Sequence, residues 1–340
     1  MLHRSLVLIA FLIPTFSSVT ASPRPLWTRD LREYGSQGAR IDTVLAMEAS
    51  RRIVFGSANE LLVVSPREEP VDPFEVQGFV LDAKKGSLLA KRSWTSRDTY
   101  AVFGTPRGRY VVNTAGGIQL LDSELKEILT TETGPAEMAS PGRRMIAVRS
   151  LAAGHRGVIF LDAETLRPAG LEFTGVPVHS IASDRVAFAG SLDDPHKTSL
   201  IVRDSRGDKR VFESTCREIA ARFISDTMIA LVGCSRLEVV SLDGKRLFSA
   251  KSDGGDVASV ACDGSRFVIV EQDGPVERAE TIKVFDVRKK QVVARLDASD
   301  STVEDAGLAG VGLAPDGSLL GVVRGDLVQV FELPVPLRNK

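Results

Sequence analysis

The sequence is poor in the residues that most enzymes place at their centres. Its 340 residues include four histidines, three cysteines, two tryptophans and three asparagines (Asn59, Asn113 and Asn339). No HExxH, GxSxG, phosphate-binding or EF-hand pattern occurs, so no common hydrolytic, nucleotide or calcium chemistry is written in it. None of the asparagines lies in a glycosylation acceptor. Cys216, Cys234 and Cys262 are too widely spaced for a CxxC-type zinc site. No apolar run reaches the ~20 residues that span a bilayer. There is no amphipathic helix of convincing length either. Lys and Arg total 43 against 44 Asp and Glu, so the basic excess of a nucleic-acid or anionic-membrane binder is missing.

The opening residues have the order of a cleavable export signal. "MLHR" is a short basic start, "SLVLIAFLIPTF" is an apolar run broken by Pro14, and Val19 and Ala21 are small at the positions that cleavage requires. The expected leader is 1–21, leaving 22–340 as one domain, secreted or periplasmic. Loss of Arg4 makes the mature balance 42 basic against 44 acidic residues.

What is present in abundance is repetition. "LAPDGSLLGVV" near the end has relatives in "MEASRRIVFGS" (47–57), "FGTPRGRYVVNT", "MASPGRRMIAVRS", "IASDRVAFAG", "FISDTMIALVG" and "ACDGSRFVIVE". Each is an apolar approach, a turn of Ser, Pro, Asp or Gly, and a β-branched run, which is the pattern of a hairpin. A second hairpin follows six of them, marked by Asp82, Asp122, Asp162, Asp204, Asp243 and Asp286 at spacings of 40, 40, 42, 39 and 43. Two hairpins every ~40 to 45 residues is the period of four-stranded propeller blades, and a β-sandwich has no reason to keep it. The seventh unit lacks its last strand. "RPLWTRDL" (24–31) stands alone at the other end and is expected to supply it, pairing the two ends of the chain.

On this grammar the chain resembles the WD40-like and YVTN-like seven-bladed β-propeller superfamily, over nearly all of its mature length. It has no Trp-Asp blade endings and no Gly-His openings, so the resemblance is one of repeat rhythm. The resemblance implies an all-β ring in which first-to-second and third-to-fourth turns lie on the bottom face. Second-to-third and blade-to-blade connections then lie on top, around the channel mouth.

Sorted that way, the bottom turns total roughly +5 and the top connections roughly −14. The acidic segments are "SPREEPVDPFEVQ", "SDGGD", "EQDGPVERAET" and "DASDSTVED". The expected function is a monomeric, non-catalytic binding module whose acidic top face takes a protein or a cationic small molecule. The alternative is a propeller enzyme such as a metal-dependent, lactonase-like hydrolase. His155 on one top loop and Asp193, Asp194 and His196 on the next are the side chains that could hold a divalent cation or do acid–base work. No other cofactor is implied. His179 falls in an innermost strand and reads as a channel-lining residue.

Two copies of "RGD", at 206–208 and 324–326, fall where hairpin turns need glycine, and turn chemistry explains them. "GLAGVGLAPDG" is followed by no helix to hold a dinucleotide. In an oxidising compartment three cysteines give one bridge and one leftover thiol. A three-residue turn centred on Ser225 sets Cys216 opposite Cys234, whereas a two-residue turn misses by one. A Cys216–Cys234 bridge is therefore expected, with Cys262 free and buried.

Overall fold

The computed structural model describes residues 23–36, 52–66, 73–96, 101–149, 157–174, 178–190, 197–216, 219–252, 254–272, 280–297 and 310–334. They form seven four-stranded antiparallel sheets arranged as the blades of a ring. Blade 1 is β2 (Arg52–Phe55), β3 (Glu60–Pro66), β4 (Phe74–Asp82) and β5 (Leu88–Ser96). Blade 2 is β6 (Val102–Gly104), β7 (Tyr110–Thr114), β8 (Gly117–Leu121) and β9 (Glu127–Thr131). Blade 3 holds β10 (Ala136–Ala139), β11 (Met145–Arg149), β12 (Gly157–Asp162) and β13 (Pro168–Thr174). Blade 4 holds β14 (Ser180–Ile181), β15 (Val186–Gly190), β16 (Thr198–Asp204) and β17 (Gly207–Ser214). In blade 5 they are β18 (Ala220–Ser225), β19 (Met228–Gly233), β20 (Arg236–Ser241) and β21 (Arg246–Lys251). In blade 6 they are β22 (Asp256–Val260), β23 (Arg266–Gln272), β24 (Glu280–Asp286) and β25 (Gln291–Asp297). Blade 7 combines β26 (Gly310–Leu313), β27 (Leu319–Arg324) and β28 (Leu327–Glu332) with β1 (Pro25–Asp30).

The repeated aspartates are turn-formers. Asp82 Oδ1 accepts the amides of Lys84 and Lys85 at 2.9 and 2.8 Å, and Asp162 Oδ1 accepts those of Glu164 and Thr165 at 3.0 and 2.9 Å. Asp122, Asp204 and Asp286 cap their turns in the same way. Such side-chain bonds satisfy amides that the tight turn strips of ladder partners. Blade 5 departs from the pattern. Ser241 ends the third strand where blades 1, 2, 3, 4 and 6 have aspartate at its end or just past it, and its hydroxyl bonds Asp243 and the Lys245 carbonyl. Asp243 therefore lies inside the turn, two residues past the position that the other marker aspartates hold.

The first expected hairpin is misplaced. "RIVF" is the inner strand of blade 1, and its turn is Gly56–Asn59, with Gly56 N–H donating to Glu60 O at 3.1 Å. Of the expected Ser-Arg-Arg turn, Arg52 belongs to the strand and Ser50 and Arg51 lie outside the described residues; the turn that follows the strand carries no charge. Glycine is required at 56 because a Cβ there would lie 2.6 Å from the Tyr110 hydroxyl.

Every outermost strand carries a register irregularity near its start. Pairing skips Leu26 in β1, Leu89 in β5, Ile128 in β9, Val211 in β17, Leu247 in β21 and Val293 in β25. In β13 the shift lies within 169–171. A bulge twists an edge strand away from templating another chain, so the rim is protected seven times over.

The ring closes as the sequence predicts. β1 lies on β28, with Trp27 opposite Val330 and Asp30 opposite Leu327. Trp27 enters the core shared by blades 7 and 1, and its indole N–H donates to Ala83 O at 2.9 Å. A 3-10 turn (Leu31–Tyr34) then buries Leu31, and the Leu31 amide donates to Asp326 O at 2.8 Å. Each blade interface has its own apolar cluster, supplemented by polar ties. Asn113, buried in β7, accepts from Ala136 N at 2.9 Å and donates to Ala136 O at 3.0 Å, joining blades 2 and 3.

Candidate functional site: top face and central channel

The innermost strands β2, β6, β10, β14, β18, β22 and β26 leave one edge unpaired toward the axis, so they wall a central channel. His155 lies between β11 and β12, and Asp193, Asp194 and His196 lie between β15 and β16; all four are outside the described residues. Among the described residues, no group of three His, Cys, Asp or Glu is placed to share a metal. His179 precedes β14, is exposed, and accepts the Ala189 amide through Nδ1 at 3.3 Å.

On the top of blade 5, Cys216 and Cys234 are joined as a disulfide with Cα atoms 5.5 Å apart. The expected three-residue turn is not what permits it. The β18–β19 turn is the two-residue Asp226–Thr227, with a bulge between Phe223 and Ser225. Cys216 reaches Cys234 because it sits past the end of β17 and before β18, free of any ladder register. Cys234 and Ser235 form a tight turn with φ of 48° and 58°, a left-handed pair that side chains rarely adopt. The bridge ties that strained turn to the preceding blade.

A polar chain continues from there to blade 6. The Ser252 amide donates to Ser235 O at 3.1 Å, and its hydroxyl donates to Glu271 Oε1 at 2.7 Å. Lys283 pairs with the other oxygen of Glu271. Glu271 is completely buried, so this acid belongs to the fold and not to a recognition surface.

The bottom of the channel is crossed by Arg143, which stands at φ 58° in the β10–β11 turn. Its guanidinium donates to Phe55 O in blade 1 and, at 3.2 Å, to Leu313 O in blade 7. It also meets the Cys262 thiol in blade 6. A side chain read from "SPGRR" as an exposed bottom cation is therefore a buried plug spanning the ring; its neighbour Arg144 is the exposed one. Burial pulls Arg143 below the ordinary arginine range and pushes the Cys262 thiol up. Cys262 is unbridged and half-buried, less enclosed than expected.

Higher in the channel, Arg222 rises from β18 between Ala221 and Phe223, both buried against blade 4. It is partly open to the channel, yet the protein crowds it enough that desolvation draws its guanidinium below the ordinary range. Asp256 opposes that effect and Arg52 adds to it. Asp256 begins β22 in blade 6, and Arg52 begins β2 in blade 1 across the ring. Arg143, Arg222 and Glu271 were all hidden in sequence, because a charge beside apolar strand residues reads as a solvated turn or edge. The one available cue was the cation inside "AARFIS", an otherwise apolar inner strand.

No family model matches the chain, and no curated protein matches it either. Solved structures match by shape. A chain of the "Crystal Structure of Mitotic Checkpoint Complex" aligns over 98% of this chain and 99% of its own at TM-score 0.56 and 15% identity. Raptor from Chaetomium thermophilum aligns over 84% of this chain at TM-score 0.56 and 13% identity; the match spans 29% of that protein. The C-terminal WD40 domain of Sif2 aligns over 81% of this chain at TM-score 0.43 and 12% identity. At these identities the likeness is one of fold, a seven-bladed β-propeller.

Proposed function

We propose that the protein is an exported binding module, without catalysis, whose top face receives a cationic partner such as a basic protein segment. One observation carries this: the charge of the segments that join strand ends on the top side. Residues 67–72, between β3 and β4, include Glu68, Glu69 and Asp72 against Arg67 alone. Residues 298–309, between β25 and β26, include Asp300, Glu304 and Asp305 and no base. Connections on a rigid scaffold are where binding residues concentrate. The disulfide supports an oxidising compartment, in keeping with a leader at 1–21.

Long-range attraction between an acidic face and a basic segment is screened as the Debye length contracts. An oligolysine peptide titrated into the mature protein should bind at least tenfold more weakly at about 300 mM salt than at about 50 mM. Glu68→Gln combined with Glu69→Gln and Asp72→Asn should weaken the low-salt complex. Affinity indifferent to both salt and these substitutions would overturn the proposal.

A further inference from the structure

The outermost strands do not fill the seams between blades equally. Trp94 of β5 packs into the core shared by blades 1 and 2. Trp27 of β1 turns to blade 1, and on its other side β1 offers Pro25 and Thr28. Pro25 lies opposite Phe331, and Thr28 lies opposite Gln329, whose Nε2 donates to Thr28 Oγ1 at 3.5 Å. A cleft of about 220 Å³ remains between the outer strands of blades 6 and 7, walled in part by Pro23–Pro25.

The cleft is apolar along one stretch and cationic along another. Ile282 and Leu296 are ladder partners in blade 6, and Val322 and Phe331 answer them from blade 7. All four belong to one core cluster. Arg324, 9% exposed, is two residues beyond Val322 in β27 and so shares its face. The exposed Arg24 lines the same space. Among the described residues of the wall the one acid is Asp297, and its carboxylate is held elsewhere. Its Oδ1 accepts Arg295 Nε at 2.8 Å and Thr281 Oγ1 at 3.2 Å. With Asp297 counted in full, the lining is still net positive. Asp30, further along β1, is paired with Arg32.

We infer that this cleft binds a small carboxylate carrying a short apolar tail. Arg324 takes the carboxylate, with Arg24 at its side. A guanidinium fork matches the two oxygens, and with five N–H donors it can share a ligand with its contacts inside the chain. The tail lies on Ile282, Leu296, Val322 and Phe331, which removes apolar surface from water. The volume is below the ~300–1,000 Å³ of sites for drug-sized molecules, so the tail is short. Phosphate would leave the apolar stretch uncovered, and a neutral alcohol would gain nothing from the arginines. A ligand here touches blade 6 and the strand that closes the ring, so binding stabilises the closed state.

The test is calorimetric titration and thermal unfolding of the mature protein with hexanoate, acetate, hexanol and inorganic phosphate at matched ionic strength. Hexanoate should bind saturably and raise Tm. Each buried methylene contributes roughly fourfold in affinity, so acetate should bind at least about thirtyfold more weakly. Hexanol and phosphate should each bind at least about tenfold more weakly than hexanoate. Arg324→Gln should weaken hexanoate about tenfold, and Arg24→Gln, at an exposed position, about threefold. Leu296→Trp fills the cleft without changing its charge and should abolish binding. If either buried variant fails to fold, Arg24→Gln decides, and an unchanged affinity there refutes the site. Arg107→Gln, exposed between β6 and β7 in blade 2, should leave binding intact. No saturable hexanoate binding would overturn the proposal. Hexanol as tight as hexanoate would mark a purely apolar cleft, and phosphate as tight would mark an anion site without a tail; either result overturns it. Binding that survives both Leu296→Trp and Arg24→Gln would lie elsewhere and sinks it equally. The ligand is an anion at a seam, so this outcome is separate from that of the cationic-partner test.

Discussion

Replacing Trp27 by alanine should destabilise the whole ring, although Trp27 is far in sequence from the other three strands of its blade. The side chain is 8% exposed and packs with Leu61, Phe79, Leu81 and Val328, so it belongs to blades 7 and 1 at once. Truncating a buried aromatic to alanine costs about 3–5 kcal/mol. The lost indole bond to Ala83 O lies within that figure, since such bonds contribute about 1 kcal/mol net. Taking ~4 kcal/mol and a urea slope of ~3 kcal/mol/M, the unfolding midpoint should fall by about 1.3 M. Far-UV circular dichroism is the assay, because it weighs all seven blades equally. Trp27→Phe keeps most of the apolar contact and should lose about a third as much. Deleting residues 24–31 should cost more than either. A midpoint shift below about 0.3 M would refute the closure argument. So would a separate small early transition that leaves the main one in place, for then β1 would be an appendage.

Further expectations concern single interactions. Cys216 and Cys234 are 18 residues apart, so breaking their bond by Cys216→Ser with Cys234→Ser should cost about 3 kcal/mol in chemical denaturation under non-reducing conditions. Finding both thiols free by peptide mass mapping would remove the basis for that figure. Asp286→Ala leaves Arg266 buried without its counter-charge and should destabilise by about 3–5 kcal/mol, far more than Asp122→Ala in an exposed turn. Glu60 faces Asp82 across the ladder, and burial, then that neighbouring charge, raises its carboxyl pKa. The folded state therefore holds this proton to higher pH than the unfolded chain does. Its contribution to stability is present below the ordinary carboxylate range and is lost as pH rises through the raised value. Glu60→Gln should thus stabilise near pH 7 and make little difference near pH 3, as read from Tm against pH.

The repeat and its closure were legible because hairpins announce themselves in short, local chemistry. Asp-Gly and Pro-Gly turns alternate with β-branched runs, and Asp82 or Asp162 fixes a turn through bonds to amides two and three residues on. Where the local chemistry was ambiguous, the strand assignment slipped. Arg51 and Arg52 resemble a turn, and Gly56–Asn59 lacks the acid that marks the others. The rim bulges left no trace in the sequence, because Leu89 or Val293 looks like one more apolar strand residue. The channel was least legible of all. Arg143, Arg222 and Glu271 acquire their surroundings from blades far apart in the chain, and local spacing carries no information about that. The cysteine pairing was foreseen from the wrong turn, since Cys216 owes its reach to lying outside both ladders.

Closure through β1 also sets an order of events. Thr28 and its partner Gln329 are 301 residues apart, so β1 is made long before the strand it pairs with. Until β28 forms, six blades can assemble in sequence while Trp27 has only the blade 1 half of its core to pack against. The open ring is then exposed on two sides, at the core of blade 1 and at the edge of β28. A single long-range docking step thus converts a row of blades into a disc.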